Sequence, residues 1–116
     1  MKLTLLAARA ASTLPSAASS MFIAGCLHHL KHSIQEALRC YVRVATLSPR
    51  HAFVWSLLGQ LYMELGQTAQ AVKAFQQALA LNPRDFNSYY HIGLVYELVE
   101  NPTSSVFYYK KAVEIR

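Results

Sequence analysis

Pro15, Pro49 and Pro83 stand 34 residues apart, twice in succession. The same step carries Gly25 to Gly59 and Gly93, Tyr41 to Phe75 and Tyr109, Ala37 to Ala71 and Ser105, and Val44 to Ala78 and Ala112. A chain held to such a period is built from one supersecondary unit used several times, each copy burying its apolar face on the next. The spacing inside the unit sets its type. Over 52–65 and 69–81 the apolar residues recur every three or four positions and do not alternate, so both stretches are helices. The chain is therefore all-α.

The middle unit carries the pattern whole: Trp55, Leu58, Gly59 and Tyr62, then Ala71, Phe75, Ala78 and Pro83. The third follows with Tyr89, Ile92, Gly93, Tyr96, Ser105, Tyr109 and Ala112. The first is degenerate in its front half, where Met21, Ala24, Gly25 and His28 stand, but sound in Ala37, Tyr41, Val44 and Pro49. Two helices cross closely only where a side chain is nearly absent, so Gly59 and Gly93 are expected to face the small Ala71 and Ser105. The aromatics fill the gaps beside that crossing, and truncating Trp55 to Ala would cost the roughly 3–5 kcal/mol of a core aromatic. Proline closes each unit because it cannot continue the preceding helix, and Gly66 supplies a left-handed stop after Leu65. Helices are predicted at 3–13, 18–31, 35–47, 52–65, 69–81, 86–99 and 103–115.

A 34-residue unit with Trp, Leu-Gly, Tyr, Ala, aromatic, Ala and Pro in that order resembles the tetratricopeptide repeat. The resemblance implies a solenoid of antiparallel helix pairs wound into a right-handed superhelix. Residues 18–51 form a degenerate repeat, 52–85 a complete one and 86–116 one without its closing proline. Residues 1–17 read as the second helix of a preceding partial repeat and its turn, since Pro15 and Ala10 keep the register. The alternative is a mitochondrial targeting segment, because Lys2 and Arg9 sit among Ala, Ser and Thr and no acidic residue precedes Glu36. With no polar capping unit at either end, the chain reads as a segment of a longer array whose bare ends favour self-association.

Composition excludes more than it identifies. Only 15% of residues are charged, below the roughly 25% of ordinary domains, which suggests surface meant to be covered. The net charge of +5 is dispersed and forms no stripe suited to nucleic acid. No apolar run approaches the ~20 residues of a membrane span. Cys26 and Cys40 have no framework spacing and fit packed thiols in a reducing compartment. His28 and His32 could face one side of a helix, but no second cluster completes a metal site, so no metal or cofactor is expected. No nucleophile and base stand in a motif and no phosphate loop is present. Catalysis is not expected.

In such arrays the first helix of each pair lines the concave face. The inward positions are then Ser19, Phe53 and Asn87; Phe22, Ser56 and Tyr90; Cys26, Gln60 and Leu94; and His29, Met63 and Glu97. That mixture of apolar, amide and aromatic groups suits an extended or helical peptide. It lacks the Lys, Arg and Asn clamp that repeats of this kind use on acidic chaperone tails, offering Phe22, Cys26, Leu57, Asn87 and His91 instead. Tyr90 and Tyr108 fall outside the core register; Tyr90 is a contact candidate, and Tyr108 is expected to pack on a following repeat.

The third unit reads Pro83-Arg84-Asp85-Phe86, then Tyr90, Gly93 and Tyr96-Glu97-Leu98, with Pro102 in the turn before Phe107-Tyr108-Tyr109-Lys110-Lys111-Ala112. This string, with Tyr62-Met63-Glu64 in the middle unit, resembles the scaffold subunit of the anaphase-promoting complex called subunit eight, the cell-division-cycle twenty-three type. The resemblance implies a non-catalytic part of a cell-cycle ubiquitin ligase, located in nucleus and cytoplasm. Its partners would be other ligase subunits, neighbouring repeats or a coactivator tail; the alternative is a general repeat adaptor, for chaperones, transport or mitochondria, that binds a peptide in its concave groove.

Overall fold

The structure, a computed structural model, describes residues 14–115. Six helices are found among them: α1 (Ser16–Leu30), α2 (Ile34–Leu47), α3 (Ala52–Glu64), α4 (Thr68–Leu81), α5 (Phe86–Leu98) and α6 (Pro102–Ile115). Their ends lie within two residues of those the periodicity predicts, while the helix predicted at 3–13 falls outside the described residues. Each odd-numbered helix pairs with the next, and each pair stacks on its neighbour through α2 on α3 and α4 on α5. The stack measures 42 × 27 × 26 Å.

One turn closes all three pairs. His32, Gly66 and Glu100, again 34 apart, have φ of 61°, 76° and 60°. After each of them the chain bonds back across the helix end: Ser33 N–H to the His28 carbonyl, Gln67 to Tyr62 and Asn101 to Tyr96, at 2.8–2.9 Å. His32, Gly66 and Glu100 themselves donate to His29, Met63 and Glu97. These two bonds satisfy carbonyls that a helix end otherwise leaves open. Only Gly66 takes the left-handed conformation without a side-chain penalty, so residue type announces that conformation at Gly66 alone, although the 34-residue register places His32 and Glu100 in the same turn.

Within a pair the close approach is between a glycine and an aromatic ring. A Cβ on Gly25 would lie 2.7 Å from the Tyr41 ring, on Gly59 2.7 Å from Phe75, and on Gly93 2.6 Å from Tyr109. The expectation that Gly59 and Gly93 face Ala71 and Ser105 is corrected: these small residues are buried, but the rings four positions later meet the glycines. Tyr41 and Phe75 are fully buried.

Between pairs a second seam forms that, on α3 and α5, the repeat pattern marks only at Leu58 and Ile92. Val54, Leu58 and Leu61 of α3 are buried against Ala37, Tyr41, Val44 and Ala45 of α2. Their counterparts Ser88, Ile92 and Val95 on α5 are buried too, with Ile92 and Val95 joined to Ala71 and Phe75 of α4. Among the expected core residues, Pro83 is exposed and serves the turn alone, while Trp55, Tyr62, Tyr89, Tyr96 and Tyr109 are only half-buried. Trp55 donates its indole N–H to the Pro49 carbonyl at 2.9 Å, tying helix to turn. Its partial exposure places the cost of truncation below that of a core aromatic. Tyr108 stacks within its own pair, 5.5 Å from Tyr96 and 6.4 Å from Tyr89 between centroids; it does not wait for a following repeat.

Two of the rings that press on glycine also bond to the helix that carries it. The Tyr41 hydroxyl donates to Cys26 Sγ at 3.3 Å, and the Tyr109 hydroxyl donates to Glu97 Oε1 at 2.5 Å. Burial raises the Tyr41 phenol well above its usual range and also raises the Cys26 thiol, against the pull of the Tyr41 bond. Burial, then the bond to Glu97, pushes the Tyr109 phenol up to about 12.

Two outcomes are expected. Gly66→Ala should lose roughly 1 kcal/mol and Glu100→Gly should gain up to about 1 kcal/mol in urea unfolding, since both change only the cost of the left-handed turn. Because the folded Tyr109 phenol ionises near 12 and an unperturbed one at 10.0, its contribution is whole below pH 10 and is lost as pH rises from 10 through about 12. Tyr109→Phe should therefore lose less stability across that window than the parent chain in parallel unfolding curves.

Candidate interaction groove

The inner positions of α1, α3 and α5 divide into a closed end and an open one. At the α1 end, Phe22 is only 2% exposed: its ring lies 5.6 Å from Tyr41 and meets Phe53 edge-on at 5.5 Å. Cys26 is 3% exposed beneath the Tyr41 hydroxyl. Neither offers a surface to a ligand. This corrects their placement as groove contacts: Phe22 folds back over the ring of its own pair, and Cys26 is covered by the Tyr41 hydroxyl. Ser19 is half-buried and its hydroxyl donates to the Leu14 carbonyl at 3.3 Å. His29 is half-buried, with Nε2 3.8 Å from Glu64 Oε1 across the seam and Nδ1 buried without a partner.

Along α3 and α5 the face opens. Phe53, Ser56, Gln60, Met63 and Leu94 are half-buried, while Asn87, Tyr90 and Glu97 are exposed. Ser56 is too small to cover Phe75 as Phe22 covers Tyr41. The next pair supplies the cover instead: the His91 ring stacks on Phe75 at 5.3 Å and 16°. His91 Nδ1 lies 2.7 Å from the Asn87 carbonyl, and the Tyr90 ring meets it edge-on at 5.6 Å. His91 thus braces two of the candidate contacts, a role visible in sequence only by noticing that Ser56 leaves a ring uncovered. Tyr90 leans on Tyr109 at 5.7 Å, and with Asn87, Phe86, Ala112 and Val113 these two line an open cavity of about 530 Å³.

The groups on this face have the chemistry that recognition of a peptide would need. Amides at Gln60 and Asn87 can bond a peptide backbone, Phe53, Met63, Tyr90 and Leu94 can cover side chains, and the Glu97 carboxylate is held in place by Tyr109. No lysine or arginine stands among these positions. Among the described residues no group of three or more His, Cys, Asp and Glu comes together as a metal site, and no helix is long and apolar enough to cross a membrane.

Comparison with known proteins agrees with the repeat fold. Residues 59–99 match the family model described as TPR repeat, and residues 86–116 match one described as tetratricopeptide repeat. The cell division cycle protein 27 homolog of Caenorhabditis elegans is 32% identical over 92 residues, covering 79% of this chain and 12% of the relative. The anaphase-promoting complex subunit 3 of Schizosaccharomyces pombe is 26% identical over 113 residues, covering 97% of this chain and 17% of the relative. The chain thus spans less than a fifth of either. The second bears the name of the complex that the sequence resembles, with a subunit numbered three where the resemblance pointed to eight. Among solved structures, a crystal structure of MamA is 28% identical with a TM-score of 0.82, covering 84% of this chain and 57% of that one. The second TPR of Spaghetti (RPAP3), bound to an HSP90 peptide, is similar at a TM-score of 0.79, covering 85% of this chain and 92% of that one. At 15% identity it shows the fold alone. In period, in the turn that closes each pair and in the family models that match its second half, the chain belongs to the tetratricopeptide-repeat proteins, an interaction fold.

Proposed function

We propose that the chain is a non-catalytic scaffold that holds an extended peptide across α3 and α5 and forms part of a repeat subunit of the anaphase-promoting complex, a cell-cycle ubiquitin ligase. The observation that carries the assignment is the likeness to the fission-yeast subunit over 97% of this chain, supported by the likeness to the nematode cell-division-cycle protein. The groove chemistry supports the peptide: apolar side chains alternate with amides along one face, and aromatic anchors such as Tyr90 stand at its exposed end. On this reading the partners are neighbouring ligase subunits and a coactivator tail, and the chain resides in nucleus and cytoplasm. The groove lacks a cationic clamp, which weighs against capture of an acidic chaperone tail.

Affinity purification of the tagged chain from dividing cells, read by mass spectrometry, tests the assignment. Ligase subunits should be recovered, and the double variant Asn87→Ala, Tyr90→Ala should lose at least about tenfold of that recovery. Its unfolding midpoint should fall only slightly, because both side chains are exposed and only the outer ring contacts of Tyr90 with His91 and Tyr109 are lost. Recovery of chaperones or mitochondrial proteins without ligase subunits would sink the assignment and leave only the fold.

A further inference from the structure

Cys40, Ala74 and Tyr108 occupy one position of the repeat, 34 residues apart. In the third pair the Tyr108 ring lies nearly parallel to Tyr96, at 11°, and inclined by 29° to Tyr89. In the second pair Trp55 and Tyr62 stand where Tyr89 and Tyr96 stand, but Ala74 brings no ring to them. A cavity of about 570 Å³ is left there, walled by Trp55, Tyr62, Leu58 and Ala74 with Val42 and Ala45 of α2. Gln70, Lys73, Gln77 and Thr46 also line it; no carboxylate does, and none of the groove candidates on the other side of α3 takes part.

We propose that this cavity is a second binding site, which takes the tyrosine ring of an acidic segment of a partner protein. The chain shows what fits: a phenol ring stacked between the two aromatic positions of the pair, as Tyr108 is. Aromatic walls favour a planar ring over an aliphatic side chain of equal area, because offset stacking adds to burial. The cavity exceeds what one ring needs, so the flanking backbone lies in it as well, within reach of the two glutamines and Thr46. The charge balance selects the sequence around the ring. Lys73 is the one ionic group in the lining, and the chain carries +5 overall, so acidic neighbours of the tyrosine are drawn in and basic ones repelled. This site does not depend on the groove reading, since it lies on another face of α3 and on the second helices of the pairs.

Trp55 is the chain's only tryptophan and walls the cavity, so its emission reports occupancy directly. The probe is N-acetyl-Glu-Tyr-Glu-amide, titrated against the whole chain, with N-acetyl-Glu-Leu-Glu-amide as control. A saturable change with the tyrosine probe is expected, with the leucine control weaker by about fivefold or more. Ala74→Tyr, which sets the chain's own ring in the cavity, should abolish the response while raising the urea midpoint. Lys73→Gln, an exposed position that leaves the fold intact, should weaken binding about threefold at low salt, a difference that closes near 0.5 M salt. The proposal is overturned by any of three results: no saturable response, equal binding of the leucine control, or an unchanged response in folded Ala74→Tyr.

Discussion

Three aromatic rings press on three glycines, and the rest of the stack is arranged around those contacts. A Cβ at Gly25, Gly59 or Gly93 would come within 2.6–2.7 Å of Tyr41, Phe75 or Tyr109, closer than packed atoms allow. The glycine therefore decides how near two helices come, and the ring decides what fills the space beside the crossing. From that distance follows the position of the second helix of each pair, and with it the surface on which the next pair sits. Val54, Leu58 and Leu61 can be buried on α2 only because α2 has already been drawn in by Tyr41 on Gly25.

The pair-internal contacts were legible in the sequence because a glycine, an aromatic and a proline at fixed offsets have few other uses. Their partners were less so. Spacing alone put Ala71 and Ser105 opposite the glycines, since small residues suggest a close crossing, whereas the ring one helical turn later makes the contact. The seam between pairs left no distinct signal: Val54, Leu61, Ser88 and Val95 are ordinary helix residues whose burial depends on another helix of the stack. Register places His32 and Glu100 in the turns, but not their left-handed conformation, as only Gly66 announces it by residue type.

The groove was legible as a face and not as a set of contacts. Helical register gives the direction in which a position points, but a side chain large enough to fold back over its own pair leaves the surface. Phe22 does this and Ser56 cannot, while Cys26 is covered by the Tyr41 hydroxyl, so the open stretch begins at α3 and runs to α5. The same variation in size explains the cavity beside Trp55. Repeats keep their glycine and ring while the position of Cys40, Ala74 and Tyr108 drifts, and the drift to Ala74 leaves room beside Trp55 and Tyr62. An interaction fold gains its specific surfaces in this way, with the frame fixed by one contact and the sites set by what is missing around it.

The central claim is that the glycine and the ring act as a unit, and a double-mutant cycle on Gly59→Ala and Phe75→Leu in urea unfolding tests it most directly. If the ring fixes the approach, Gly59→Ala costs about 1–3 kcal/mol by overpacking, but much less once Phe75 is a leucine that can yield, so the coupling is at least about 1 kcal/mol. Additive effects within about 0.5 kcal/mol would contradict the account and mean that the helices are held at their distance by something else.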